Sequence, residues 1–100
     1  MRVSDVVVAS HPALAGHFPG DPIVPGVLLL ARVARAAAAL AGGGAPTAVP
    51  VAKFHAPLRP GERFEIELER NAGASIAFRV SRGDTVVASG TLRYAEPDAA

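Results

Sequence analysis

A histidine, His17, stands in a stretch crowded with glycine and proline. Residues 16–26 read GHFPGDPIVPG and hold three of the chain's ten glycines and three of its nine prolines. An imidazole exchanges protons near neutral pH, so it can serve as a general base or acid. The prolines restrict φ, which lowers the entropy lost when the loop orders around that ring. The loop can therefore hold the imidazole of His17 at a low cost in entropy.

The loop leads directly into an apolar segment that we predict to be a helix over residues 27–40. Only Arg32 and Arg35 interrupt its apolar residues, and Pro25 suits a helix start because proline is preferred in the first turn. The first N–H groups of a helix lack intrahelical partners and lie at the positive end of its dipole. Such amides can stabilise negative charge that develops on a carbonyl oxygen.

This predicted helix has almost no polar face. No Asp or Glu occurs from residue 23 to residue 61, and the glycines at 42–44 with Pro46 end the helix. A helix that is apolar nearly all round must be covered. We expect both a sheet wrapped around it and a second subunit against its other side.

Strand patterns surround the helix, over residues 3–8, 47–56, 64–69, 75–80 and 85–94. Residues 64–69 alternate with period two, with Glu65, Glu67 and Glu69 on a solvated face. We predict an α+β fold in which one helix lies on a curled antiparallel sheet, the strands after the helix forming a meander. One domain spans residues 1–96, and residues 97–100 form a frayed tail.

Composition excludes several classes of function. A formal net charge of +1 gives no field for nucleic acid, and the absence of cysteine excludes disulfides and thiolate metal sites. We predict no metal site. No apolar stretch approaches the roughly 20 residues of a membrane span, and no signal peptide is recognisable, so a cytoplasmic location away from membranes is expected.

Two blocks of sequence resemble a known family. Residues 17–28, HFPGDPIVPGVL, are similar to the signature of the 3-hydroxyacyl-acyl-carrier-protein dehydratases of fatty-acid and polyketide synthesis. A weaker second block combines Lys53-Phe54, Pro57-Leu58 and Pro60-Gly61-Glu62. The resemblance implies the hot-dog fold, a sheet wrapped around a central helix. It also implies an acyl thioester substrate carried on phosphopantetheine, with no cofactor, and acyl carrier protein as a partner.

The same resemblance assigns roles to residues of this chain. It makes His17 catalytic and gives Gly26 the backbone amide that binds the thioester oxygen. The implied substrate-binding residues are Phe18, Pro25, Val27 and Ala31.

One position departs from the family. An Asp or Glu is expected six residues after Pro25, where this chain has Ala31. General acids contribute about 10² to 10⁴-fold in rate, so a homodimer should be a poor dehydratase. A heterodimer, in which another hot-dog chain supplies the acid, would restore the pair. The alternatives are a non-catalytic subunit that binds an acyl chain or carrier and, in last place, a thioesterase.

The remaining basic residues allow two interpretations. Arg32 and Arg35 are either solvent-facing arginines that complement the helix end or, with Arg59, contacts for an acidic carrier protein. His11 and His55 are interpreted as ordinary surface residues. The sequence does not decide the length and type of the acyl chain. It also leaves open whether the carrier is a protein or coenzyme A, and whether the chain forms a homodimer or a heterodimer.

Overall fold

A computed structural model describes residues 1–11, 23–71 and 73–95 of the chain. Within them one helix lies against a five-stranded antiparallel sheet, which confirms the predicted α+β class. The elements in chain order are β1 (Arg2–Val6), α1 (Gly26–Ala41), β2 (Ala48–Phe54), β3 (Arg63–Arg70), β4 (Ser75–Arg82) and β5 (Thr85–Arg93).

The strand order across the sheet is β1-β3-β4-β5-β2, so the predicted meander is correct only for β3 to β5. β2 pairs with β5 at one edge, and the expectation that β2 adjoins β3 is wrong. The reason lies in the segment between them, residues 55–62. Leu58 in that segment is buried, and its carbonyl accepts a hydrogen bond from the Val24 N–H (2.7 Å). The segment therefore packs beside the start of α1 and carries the chain to the far side of the sheet.

The pairing of β2 with β5 depends on a glycine. A Cβ at Gly90 would collide with the carbonyl oxygen of Val51 and would lie 2.8 Å from Cζ of Phe78. Neither separation is tolerable, because one atom is backbone and the other belongs to a buried ring. Gly90 thus lets β2 lie close against the sheet at this point.

The core lies between one face of α1 and the inner face of the sheet. The helix contributes Leu29, Val33 and Ala37, one residue per turn, because side chains four apart share a helix face. The strands contribute mostly alternate residues, as their period of two requires, except at the register shift between β4 and β5, where the adjacent Val87 and Ala88 are both buried. These are Phe64, Ile66 and Leu68 from β3, Ile76, Phe78 and Val80 from β4, and Val87, Ala88 and Leu92 from β5.

The opposite face of α1 is uncovered in the single chain. Val27, Ala31, Arg35 and Ala39 are all exposed, and Val27 reaches 81%. The sheet therefore covers only one side of the helix, and the second subunit expected on its other side stays a prediction. This uncovered row is called the open face of α1 below.

Both ends of α1 follow from local sequence. Pro25 holds the extended conformation of an N-cap residue (φ −60°, ψ 143°), and the Leu29 N–H donates to its carbonyl (3.1 Å). Gly42 ends the helix at φ 86°, a left-handed conformation that favours glycine. Within the described residues, α1 has neither the length nor the unbroken apolar character that crossing a bilayer demands.

Candidate active site

The start of α1 provides the electrostatic element of the site. No acidic side chain lies in the first turn, and Pro25, the N-cap residue, makes no side-chain hydrogen bond to the amides of that turn. The N–H groups of Gly26 and Val27 precede the first intrahelical bond and so lack partners within the helix. An anionic oxygen placed there would gain from both the amides and the helix dipole.

A ring from β2 lies against this helix start. A Cβ built on Gly26 would lie 2.8 Å from Cζ of Phe54 and 3.0 Å from its Cε1. The backbone of Gly26 is helical, so glycine is needed here for space and not for an unusual φ. Phe54 is nevertheless 52% exposed, so the ring covers Gly26 on one side and faces outward on the other.

A cavity of about 660 Å³ opens beside these two residues. Its wall is mostly apolar, and it combines the first turns of α1, the end of β2 and the segment that follows β2. The side of α1 contributes Gly26, Val27 and Leu30, and the side of β2 contributes Phe54, Pro57 and Leu58. A mostly apolar cavity that Gly26 and Val27 line at the helix start suits an acyl group attached to a polar carbonyl.

The predicted site residues fall into three groups by position. Gly26 and Val27 line the cavity, and Pro25 directly precedes them as the N-cap. His17 and Phe18 lie outside the described residues, as does Asp21. Ala31 lies on the open face of α1, a full turn beyond Val27, and is not part of the cavity wall.

Of the three arginines expected to contact a carrier, Arg32 is engaged within the chain. Its Nη1 donates to both carboxylate oxygens of Asp5 (2.9 and 3.0 Å) and lies 3.4 Å from the Val6 carbonyl oxygen. The side chains of Arg32 and Asp5 are only 19% and 29% exposed. The interpretation of Arg32 as a solvent-facing residue near the helix end is therefore wrong, since this ion pair joins the middle of α1 to β1.

Arg35 and Arg59 have different surroundings. Arg35 is exposed on the open face of α1, within the middle of the helix, and the last turn of α1 has no basic residue. Arg59 is exposed in the segment after β2, where its backbone N–H donates to Oε1 of Glu62 (2.7 Å). Arg35 thus faces the side that a second subunit would cover, and Arg59 adjoins the cavity wall.

Two residues of the wall had no predicted role. Phe54 belongs to the second sequence block, but its contact with Gly26 joins residues 28 apart and no local pattern reports it. His55 also contributes to the wall, and its Nε2 lies 2.9 Å from Oγ of Ser89 on β5. The exposed position of His55 agrees with its interpretation as a surface residue.

The described residues offer little other acid–base or metal chemistry. Within residues 1–11, 23–71 and 73–95, no three His, Asp or Glu side chains gather as metal ligands. The wall residues of the cavity include no carboxylate in the described part of the chain. Away from the site, burial raises the pKa of Tyr94, whose O–H donates to the Ala34 carbonyl (3.2 Å).

A curled antiparallel sheet on one helix, with an apolar cavity at the helix start, defines a protein of the hot-dog fold. Residues 1–91 match the family described as ApeI-like, ApeI dehydratase. The chain belongs to the ApeI-like dehydratase family, and it is an enzyme of the lyase class. The predicted dehydratase resemblance and hot-dog fold are confirmed.

Individual relatives agree with this assignment. The chain is 34% identical over 109 residues to the 3-hydroxyacyl-[acyl-carrier-protein] dehydratase FabZ of Symbiobacterium thermophilum, covering 94% of this chain and 75% of that protein. It is similar in structure to the dehydratase heterocomplex ApeI:P from Xenorhabdus doucetiae, with a TM-score of 0.76 and 25% identity, covering 92% of this chain and 83% of that one.

A third similarity concerns the fold alone. A mutant of the fluoroacetyl-CoA-specific thioesterase FlK superposes with a TM-score of 0.71 at 17% identity, covering 92% of this chain and 84% of that chain.

Proposed function

We propose that this chain dehydrates 3-hydroxyacyl thioesters carried on the phosphopantetheine of acyl carrier protein, as one subunit of a heterodimer. The observation that carries the proposal is the start of α1, where free amides end an apolar cavity while the nearby helix position expected to hold an acid is Ala31. The names of the FabZ relatives supply the substrate class, and the ApeI:P heterocomplex supports a mixed pair.

Dehydration of such a thioester needs three elements. A base removes the proton at C2, and the electron pair moves toward the thioester carbonyl, whose oxygen gains charge. The Gly26 N–H at the helix start stabilises that oxygen. The enolate then expels the 3-hydroxyl group as water, which requires a proton from an acid. His17 is the proposed base.

The described residues that line the cavity include no carboxylate, so we take the acid from a partner. In the proposed pair, a carboxylic acid on the partner's helix lies close to His17 and protonates the departing hydroxyl. His17 of this chain and the partner's acid then form one complete site. The site that needs an acid from this chain instead meets Ala31 and stays inactive.

Exposed apolar surface supports a second subunit beside α1 and β2. β2 is an edge strand, with Val49 and Val51 each 42% exposed, and the neighbouring Val27 is 81% exposed. An apolar strand edge with unpaired backbone groups is prone to pair with another chain. We place the partner hot-dog chain on this edge and on the open face of α1.

The test is a reconstitution with purified proteins. The chain alone, a second hot-dog chain that carries an acid at the matching helix position, and the mixture are each given a 3-hydroxyacyl-carrier substrate. Enoyl product is quantified by mass spectrometry. We expect product from the mixture, little from this chain alone, and loss of product when His17→Ala is used in the mixture. Strong activity from the isolated chain would exclude the need for a partner.

A non-catalytic accessory subunit is the second candidate, favoured by the absence of a carboxylate among the described wall residues. In that case His17→Ala leaves the mixture fully active, while Arg35→Glu or Arg59→Glu weakens binding to the carrier or partner. Release of free thiol from the substrate would instead indicate a thioesterase. The cytoplasmic location stays a prediction.

A further inference from the structure

The segment from Pro57 to Glu62 contributes Pro57 and Leu58 to the cavity wall, and two of its six residues lack a backbone donor. Pro57 and Pro60 lack an N–H, so they cannot hold the segment by donating hydrogen bonds. Donors from elsewhere in the fold also hold this segment. One of them is a guanidinium at the end of β4.

Arg82 provides this donor. Its Nη1 donates to the Pro57 carbonyl oxygen at 2.5 Å and lies 3.5 Å from Oε1 of Glu62. The Arg82 and Glu62 side chains are 28% and 34% exposed, so the ion pair is partly shielded from water. Hydrogen bonds from a charged donor are stronger than neutral ones, and both contacts restrain the same segment.

Glu62 continues the network toward Arg59. Oε1 of Glu62 accepts the Arg59 N–H (2.7 Å), and the Glu62 N–H donates to the Arg59 carbonyl (3.2 Å). The Gly61 N–H also donates to the Val7 carbonyl (2.8 Å). The hydrogen bonds between Arg59 and Glu62 hold the segment together internally. Arg82 anchors it at Pro57, and Val7 anchors it at Gly61.

Between these anchors lies Leu58, which connects the segment to the start of α1. The Leu58 side chain is 2% exposed, and its carbonyl accepts the Val24 N–H at 2.7 Å. Val24 is itself buried and stands two residues before Gly26. A shift of Pro57 therefore moves the acceptor that holds the chain just ahead of the helix start.

We propose that Arg82, with Glu62, is a positioning residue for the thioester site. It fixes Pro57, and through the Leu58–Val24 hydrogen bond it sets where the Gly26 amide lies. Arg82 is not part of the cavity wall, so it acts through the segment and not by touching substrate. The identity of the substrate in this inference rests on the proposed function. The geometric link from Arg82 to the Gly26 amide does not depend on it.

The first experiment measures that link without any substrate. Amide hydrogen exchange is followed by NMR in the full chain for Arg82→Gln, Arg82→Lys and the matched control Arg79→Gln, an exposed arginine on the same strand. We expect Arg82→Gln to accelerate exchange of the Val24 amide about tenfold. The Ile66 amide in the core should be unchanged. Arg82→Lys should recover most of the protection, because it keeps a charged donor.

The second experiment uses the reconstituted pair with a 3-hydroxyacyl-carrier substrate. Arg82→Gln should lower kcat about tenfold with KM changed less than about twofold, because a displaced amide affects charge that develops in the transition state. Arg82→Lys should restore most of kcat, and Arg79→Gln should match the unmodified chain.

The outcomes separate this inference from the proposed function. If the Val24 amide exchanges faster in Arg82→Gln but the chain never dehydrates substrate, the link is supported and the proposed function is rejected. Dehydration with Val24 exchange equal in Arg82→Gln and Arg79→Gln overturns the link while the proposed function stands. Faster exchange with an unchanged kcat also overturns the inference, because Arg82 would then be only structural.

Discussion

The ring of Phe54 occupies the space that a methyl group on Gly26 would need, at 2.8 Å from the position of that methyl carbon. This contact joins the edge strand β2 to the first residue of α1. It explains a glycine at a helix position where the backbone itself would accept any residue. The distance between the Phe54 ring and the Gly26 amide therefore depends on two residues that are far apart in the chain.

The first prediction concerns this contact. Gly26→Ala should push the half-exposed ring outward and displace the amide, lowering dehydratase kcat of the pair about 10²-fold. The free energy of unfolding should change by less than about 1 kcal/mol, because alanine favours the helix while the ring can rotate into solvent. Steady-state kinetics and urea denaturation measure the two effects.

Its control is the same substitution in a Phe54→Ala background, where the space is already free. If the clash is the cause, Gly26→Ala costs little there, and the double-mutant cycle shows a coupling between the two residues. Equal losses in both backgrounds would refute the steric explanation.

The second prediction concerns the missing acid. Ala31→Glu places a carboxylate on the open face of α1. The chain alone should then produce enoyl product, with a gain of at least about 10²-fold, because a general acid is restored to each site of a homodimer. Product formation without any partner chain is the measurement.

Ala39→Glu is the matched control, since Ala39 is exposed on the same face two turns further along. It adds the same charge to the same helix but not at the position where the resemblance leads us to expect an acid. An Ala31→Glu chain no more active than Ala39→Glu would contradict the prediction.

The third prediction concerns the ion pair between α1 and β1. Arg32→Ala leaves the Asp5 carboxylate, only 29% exposed, without its two hydrogen bonds from Arg32. We expect a loss of about 1.5–3 kcal/mol in the free energy of unfolding. Urea denaturation measures it, and Arg35→Ala, an exposed arginine on the same helix, should change stability by less than about 0.5 kcal/mol. Similar losses for both arginines would mean that the ion pair adds nothing.

The fourth prediction concerns pH. Burial raises the pKa of Tyr94 above the ordinary 10.0, so above that pH the unfolded chain loses the phenol proton before the folded chain does. The folded state then binds more protons, and the free energy of unfolding falls as pH rises through the folded pKa.

Because the chain has one tyrosine, ultraviolet absorbance of the phenolate reports this group alone. Tyr94→Phe should remove its part of the alkaline loss of stability. It should also cost about 1 kcal/mol below that pH, where the hydrogen bond to the Ala34 carbonyl is intact. An ordinary tyrosine titration in the folded chain would contradict the prediction.

Local sequence patterns were sufficient for much of this fold. The helix predicted over 27–40 is observed over Gly26–Ala41, because proline and glycine act within one or two residues of where they stand. The period-two pattern around Glu65 and Glu67 likewise gave β3. These signals are local, so one sequence contains them in full.

Local patterns could not predict the contacts between segments that are distant in the chain. Arg32 pairs with Asp5 across 27 positions, and nothing beside either residue indicates that choice. The placement of β2 beside β5 depends in the same way on the buried Leu58 and on the close approach at Gly90. The role of His17 stays a prediction, because that residue lies outside the described part of the chain.

Gly90 is not among the residues that line the cavity at the helix start, yet β2, the strand that carries Phe54, rests on it. Adding even one carbon there would lift β2 outward and carry the aromatic ring away from the helix start. The shape of the cavity at the helix start thus depends partly on a residue of the neighbouring strand β5. Substitutions chosen only among the residues that line the cavity would leave this position out.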